Sequence, residues 1–296
     1  MTRIAILGAG AWGSALGATL SEAGHVVTFW RRGEGFDLLG EAEIALVSVP
    51  AGATREVLSA AAPPPGLPLV LTAKGVEPGT LALQTEIAAD AAPGRPAAVL
   101  SGPGFAGDLT RGLPTAVTLA CADAALGARL QAALATPSLR PYLSDDPVGV
   151  QLGGALKNVI AIGCGAAMGA GLGESARAAL VSRGFAEMTR LATALGARAE
   201  TLAGLSGLGD LVLTATSAQS RNYAFGLAVG QGSDPAALAA DGRTYEGART
   251  AGAAVALAER AGVEMPIART VAGLVAGRLT VPEAVATLFN RPLRRE

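Results

Sequence analysis

Through its first half the chain alternates short β-branched apolar runs with Ala-rich stretches of helical spacing. The runs RIAILG, HVVTFW, EIALVSVP, PLVLTAKG, AAVLSGP and TAVTLA predict strands. Between them WGSALGATLSEAG predicts a helix with a glycine stop, and ATREVLSAAA and TLALQTEIAADAA predict further helices. Strands recurring between helices imply βαβ crossovers and a mostly parallel sheet. The segment APPPG at 62–66 reads as a loop. After LRPYLSDDP the strand signal stops, and from about residue 147 the pattern is helical throughout, broken by glycine turns. The division expected is an α/β domain over 1–146 and an all-α domain over 147–296.

Composition narrows the class. The 296 residues suffice for two domains, each with its own core. Half the residues are hydrophobic but only 4% are aromatic, so the mean hydropathy of +0.41 reflects alanine rather than membrane spans. The most apolar stretch, NVIAIGCGAAMGAGLG, is short, rich in glycine and directly preceded by Lys157, which predicts a buried core helix rather than membrane insertion. A strand is predicted at once at the N-terminus, so no signal peptide is expected. A net charge of −1 with no basic tract points away from nucleic acid. Cys121 and Cys164 lie far apart and there is a single histidine, so no metal site is expected. A soluble, cytoplasmic α/β protein is expected.

One count carries chemistry. Of 23 basic residues only Lys74 and Lys157 are lysines. Arginine replaces lysine wherever surface charge alone matters, but not where a cation must lose its proton.

The run ILGAGAWGSAL holds Gly8, Gly10 and Gly13 between a strand and a helix, with a second strand ending about 20 residues on, the context of a dinucleotide-binding turn. Gly8 permits the turn, Gly10 admits a pyrophosphate, and Gly13 lets helix and strand pack. The N-terminal domain is therefore expected to be Rossmann-type. At the end of the second strand, where an acid marks an NAD-selective site, stand Arg31 and Arg32, which suit the 2′-phosphate of NADP. Lys74 ends a strand at the carboxyl-end crevice. Lys157 lies in VQLGGALKNVIAIG, where Gly153, Gly154 and Ala155 leave room for a close neighbour. In GLSGLGDLVLTATSAQSRNYAFG, Asp210 sits in a glycine-rich turn, and Ser220, Arg221 and Asn222 form a donor cluster suited to a phosphate. His25 begins the second strand away from the crevice, so a lysine of depressed pKa is the candidate proton acceptor.

In order along nearly the whole chain, GAGAWGSAL, TAKG, SGPGFA, LGGALKNVIAIG, GLGDLVLT and SRN resemble the bacterial type of NAD(P)-dependent sn-glycerol-3-phosphate dehydrogenase. The resemblance implies interconversion of sn-glycerol 3-phosphate and dihydroxyacetone phosphate, supplying the glycerol backbone of phospholipids. It implies that Ser14 or Trp12 lines the pyrophosphate, Arg31 and Arg32 the adenosine end, and Gly102, Gly104 and Ala106 the loop over substrate and cofactor. Lys74 would touch both ligands, and Lys157 would accept the proton, with Asp210 holding its ammonium. Ser220, Arg221 and Asn222 would hold the substrate, Arg221 also touching the cofactor, and Glu246 in TYEGART would stand on the cofactor side. The implied cofactor is NADP or NAD, the implied partner a small phosphorylated substrate, and a homodimer is compatible with the resemblance. Two departures stand out. Only RRGEGFDLLGEA joins the second strand to the third, where the family carries 20 or more residues with a Tyr-Leu-Pro-Gly segment, so a helix and a strand are expected to be trimmed. Gly104 replaces a serine common in the family. The rival readings are a hydroxy- or ketoacid reductase of the same architecture and a non-catalytic nucleotide-binding protein.

Overall fold

The structure, a computed structural model, describes residues 1–289. Its first half runs β1 (Arg3–Leu7), α1 (Ala11–Glu22), β2 (Val26–Trp30), β3 (Ile44–Val47), α2 (Thr54–Ala61), β4 (Leu69–Leu71), α3 (Gln84–Ala91), β5 (Ala97–Ser101), α4 (Ala106–Thr110), β6 (Thr115–Ala120), α5 (Ala124–Leu134) and β7 (Leu139–Ser144). The strands form one sheet in the order β2-β1-β3-β4-β5-β6-β7. All neighbours are parallel except β5 and β6, where Leu100 pairs with Leu119 in antiparallel register. β1, β3 and β4 are buried along nearly their whole lengths, as helices on both faces of a parallel sheet require. The chain leaves β1 on one side for β2 and returns on the other as β3. This makes the carboxyl ends of β1 and β3 the switch point where such sheets bind ligands.

Six strands fall within the expected runs. The seventh, β7, lies within the stretch where the strand signal ends. It is an edge strand with alternate burial, which accommodates Pro141 because the ladder is one-sided. The trimmed connection after β2 contains only a turn and one 3-10 turn, Asp37–Leu39. Glu34 closes the turn by accepting from the Arg31 N–H at 2.8 Å, its own carbonyl takes the Trp30 indole N–H at 2.9 Å, and Phe36 stacks on Trp30. β2 is thereby left at the edge of the sheet. His25 precedes β2 and accepts the Thr2 N–H, a structural contact.

The second half is helical: α6 (Pro147–Gly169), α7 (Gly173–Ala194), α8 (Ala199–Ala203), α9 (Asp210–Ala215), α10 (Arg221–Gly230), α11 (Pro235–Ala239), α12 (Glu246–Arg260), α13 (Pro266–Val275) and α14 (Val281–Phe289). Asp146 starts α6 by accepting the Gly149 N–H at 2.8 Å, with Pro147 in the first turn. Every residue of α6 from Gly149 to Ala167 is buried, so the apolar stretch after Lys157 is the core helix expected. Its glycines have a packing role. A Cβ on Gly165 would lie 2.1 Å from the Tyr223 carbonyl oxygen, and one on Gly226 would lie 2.0 Å from that of Ile162. α6 and α10 therefore cross backbone to backbone, which draws the start of α10 toward Lys157.

Candidate active site

The crevice is built from β1 outward. Gly8 follows β1 with φ +113°, and a Cβ there would lie 2.7 Å from the Ser48 carbonyl at the end of β3. On Gly13 a Cβ would lie 2.2 Å from the Gly8 carbonyl, so the turn and the helix pack only without side chains. Gly10 differs: it immediately precedes α1 as its N-cap, has open space where its Cβ would be, and brings no side-chain cap. The first N–H groups of α1 therefore face an open cradle suited to a pyrophosphate. Ser14 lies one turn into α1, exposed, and its hydroxyl donates to the Ala9 carbonyl. Trp12 lies across from Gly104, where an added Cβ would meet its ring at 3.3 Å and Thr115 at 3.0 Å. The family's usual serine at 104 would press on both. Ala106 opens α4, beside this contact. Arg31 and Arg32 are exposed immediately after β2, next to the Gly8 turn, whose N–H donates to the Trp30 carbonyl.

The two lysines meet on one carboxylate. Lys74, beyond β4, places Nζ 2.6 Å from Asp210 Oδ2 and donates to the Gly102 carbonyl at 2.9 Å. Lys157, in the middle of α6, places Nζ 2.9 Å from Asp210 Oδ1 and 2.5 Å from the Thr214 hydroxyl. That hydroxyl donates to Asp210 Oδ1 at 3.2 Å. Asp210 is the first residue of α9, straight after a π-helical turn at Leu205–Gly209 that aims it back at α6. Gly154 makes the meeting possible: a Cβ there would lie 2.5 Å from Ser101 Oγ and 3.4 Å from the Lys74 chain.

Burial separates the groups. Asp210 and Lys157 are almost fully covered, whereas the Lys74 side chain keeps 21% of its surface exposed. Desolvation pulls the pKa of Lys157 down to about 8, helped by the Lys74 charge and opposed by Asp210. Burial also pushes Asp210 upward, but the two ammoniums outweigh it and hold its carboxyl below the usual range. The result is an anion that stays charged beside a lysine able to exchange a proton near neutral pH.

The rest of the predicted cluster divides. Ser220 caps α10, its oxygen accepting the Tyr223 N–H at 3.2 Å. The Asn222 amide donates to Asn158 at 2.9 Å and accepts the Gly247 N–H at 3.0 Å, which ties α6, α10 and α12 together. Both side chains are buried and already bonded within the protein; of the three, Arg221 alone is exposed. Ser220 takes only the third N–H of α10, so the N–H groups of Arg221 and Asn222 have no partner within the helix. Glu246 accepts the Ala51 N–H at 3.4 Å across the crevice, and burial raises its carboxyl above the usual range. Gly102, with φ +153°, supplies the carbonyl that fixes Lys74. Sequence reasoning did not single out Thr214 or Asn158. Thr214 was open to detection, because it lies four residues after Asp210 and so on the same helix face. Ser101 and Ser206 also border this region, with buried hydroxyls that have no hydrogen-bond partner among the described residues.

Profiles of known families match both halves. NAD-dependent glycerol-3-phosphate dehydrogenase N-terminus matches residues 3–35 and 35–127, and the corresponding C-terminus matches 146–286. The N-terminal match is interrupted at residue 35, inside the trimmed turn. The NAD(P)+ glycerol-3-phosphate dehydrogenase of Cereibacter sphaeroides is 52% identical, covering 99% of this chain and 100% of that one. That of Rhodospirillum rubrum is 48% identical, covering 99% and 93%. A crystal structure of glycerol-3-phosphate dehydrogenase from Coxiella burnetii superimposes with a TM-score of 0.93 at 35% identity, covering 98% of this chain and 99% of that one. With the paired lysines on Asp210 and the uncapped glycine turn in place, the chain belongs to the NAD(P)-dependent glycerol-3-phosphate dehydrogenase family.

Proposed function

We propose that the chain interconverts sn-glycerol 3-phosphate and dihydroxyacetone phosphate, with Lys157 as the proton donor and acceptor. The observation that carries this reading is the convergence of the chain's two lysines on Asp210. The open cradle at Gly10 fits a dinucleotide pyrophosphate, held by the α1 N-terminus with Trp12 and Ser14 beside it. Arg31 and Arg32 hold the adenosine end and favour NADP over NAD through the 2′-phosphate. The nicotinamide, when bound, accepts or supplies the hydride.

In the oxidation direction neutral Lys157 takes the proton of the secondary hydroxyl, while Asp210 and Thr214 keep its nitrogen aimed. In reduction, protonated Lys157 returns that proton to the developing alkoxide. Lys74 faces the same oxygen with a second positive charge, which counts for more in a site largely closed to water. The substrate phosphate is held by Arg221 with the free N–H groups at the start of α10, whose position Ser220 and Asn222 maintain. Gly102, Gly104 and Ala106 form the loop above the substrate, and Glu246 stands on the cofactor side. The domain division at 146/147 places the proton-transfer lysine in the helical unit. A cytoplasmic enzyme of phospholipid backbone supply, working as a soluble homodimer, completes the proposal.

The test is NADPH oxidation with dihydroxyacetone phosphate against unphosphorylated dihydroxyacetone. Strong preference for the phosphorylated ketone, weakened in Arg221→Ala, supports the reading. Equal rates, or a preference for a ketoacid, would overturn it.

A further inference from the structure

Lys74 is not carried by a free loop. The segment between β4 and α3 crosses to the helical half and buries Val76 and Leu83 in that half's core, among Leu152 and Leu156 of α6. It is pinched at Gly75, where a Cβ would lie 2.7 Å from the Ala51 side chain and 3.2 Å from the Thr250 hydroxyl. The Gly75 carbonyl is held by a polar side chain: Gln84 Nε2 donates to it at 3.1 Å, and Gln84 Oε1 in turn accepts the Thr54 hydroxyl at 2.6 Å. Thr54 and Gln84 are 0% and 1% exposed, so water does not satisfy them and these bonds do.

The adjoining residue closes a circuit. The Thr85 N–H donates to Gln151 Oε1 at 2.9 Å, and Gln151 Nε2 donates to the Thr85 hydroxyl at 3.0 Å and to the Pro147 carbonyl at 2.8 Å. Gln151 is on α6, the helix that carries Lys157. Bonds thus run from α6 through Gln151, Thr85, Gln84 and Gly75 to Lys74, and back through Asp210 to Lys157. An apolar residue could fill the same space at position 84. A buried amide there is explained by the fixed orientation it imposes on one peptide.

We infer that Gln84, clamped by Thr54, is a positioning residue for the reaction: it fixes the peptide behind Lys74 and so aims that ammonium at Asp210 and the substrate oxygen. The inference rests on the reading of Lys74 as the group that polarises the ketone.

The experiment compares Gln84→Leu, Gln84→Glu, Thr54→Val and Lys74→Ala. Gln84→Leu removes both the amide that holds Gly75 and the acceptor for Thr54 without adding charge, whereas Gln84→Glu, if buried as the neutral acid, keeps a donor for the Gly75 carbonyl and should retain more activity. Each variant is measured for kcat and KM with dihydroxyacetone phosphate, for NADPH affinity, and for the pH at which ketone reduction falls away. A displaced ammonium predicts kcat lower by about tenfold to a hundredfold with NADPH affinity retained. It also predicts that the falling limb moves to higher pH, because less positive charge then faces Lys157. Thr54→Val carries the same expectation if Gln84→Leu does not fold, and Thr54→Ser, which restores the hydroxyl, recovers the rate lost in Thr54→Val. Wild-type kcat and an unmoved limb in Gln84→Leu, or in Thr54→Val where Gln84→Leu does not fold, with Lys74→Ala inactive, would overturn the inference alone. Wild-type turnover in Lys74→Ala would remove its basis.

Discussion

Replacing Asp210 by Asn keeps the shape of the site and removes the charge that both lysines share. One carboxylate oxygen lies 2.9 Å from Lys157 Nζ. At an effective dielectric constant of about 20, that attraction is worth ~5–6 kcal/mol. Its loss corresponds to a change of about four decades in proton affinity. Lys157 starts from about 8 and, in the variant, faces an unopposed Lys74, so its titration moves strongly downward. At pH 7 the wild-type lysine is mostly protonated and able to donate, whereas in Asp210→Asn it is mostly neutral. Ketone reduction at pH 7 is then expected to fall by about a hundredfold or more, the range of a lost general acid. The assay is NADPH absorbance with saturating dihydroxyacetone phosphate from pH 5 to 9. The wild-type rate should decline as pH rises through about 8, and the variant's should recover only toward the acid end. A variant whose decline stays near pH 8 would refute the claim that Asp210 sets the charge on Lys157.

Further outcomes follow from other parts of the molecule. Arg31→Ala with Arg32→Ala should raise KM for NADPH by about tenfold or more while leaving NADH nearly unchanged, because each guanidinium–phosphate contact is worth about 1.5–3 kcal/mol; parallel kinetics with both cofactors check this. Lys157 is depressed on folding, so between about 8 and 10.5 the unfolded chain binds more protons and stability rises with pH. Urea midpoints across that window should rise more in the wild type than in Lys157→Met. Glu187, buried on α7, accepts the Ile267 N–H at 2.9 Å and the Ala268 N–H at 3.2 Å at the start of α13. Glu187→Ala should cost about 2–4 kcal/mol in urea unfolding, from the lost cap and two stranded N–H groups.

The sheet and the core helix were readable because burial writes a period into the sequence. The central parallel strands β3 and β4 are unbroken apolar runs, and the glycines after Lys157 proved to be the contact that lets α10 approach α6. The lysines were readable for a different reason: in a chain that otherwise uses arginine, only the need to lose a proton or fit a narrow site keeps a lysine. What pattern could not supply was connectivity. Nothing in the spacing of Lys74, Lys157 and Asp210 says that one carboxylate serves both, since that depends on the π-helical turn before α9 and the Gly153–Gly154 gap in α6. The donor reading of Ser220 and Asn222 rested on residue type, while the fold uses both side chains to seat α10. Gln84 was silent because a glutamine at a helix start carries no signature until its neighbours are known. The trimmed segment after β2 was visible only through the resemblance, and the structure reduces it to a turn closed by Glu34 and the Trp30–Phe36 stack.

The central claim is that Lys157 moves the proton, and Lys157→Arg tests it most directly. Arginine keeps the positive charge beside Asp210 but cannot give up its proton at any working pH. Single-turnover NADPH oxidation with dihydroxyacetone phosphate, with NADPH binding followed separately by fluorescence, should show near-normal binding and a rate lower by about a thousandfold. A Lys157→Arg enzyme that binds NADPH normally and turns over within about tenfold of wild type would contradict the account.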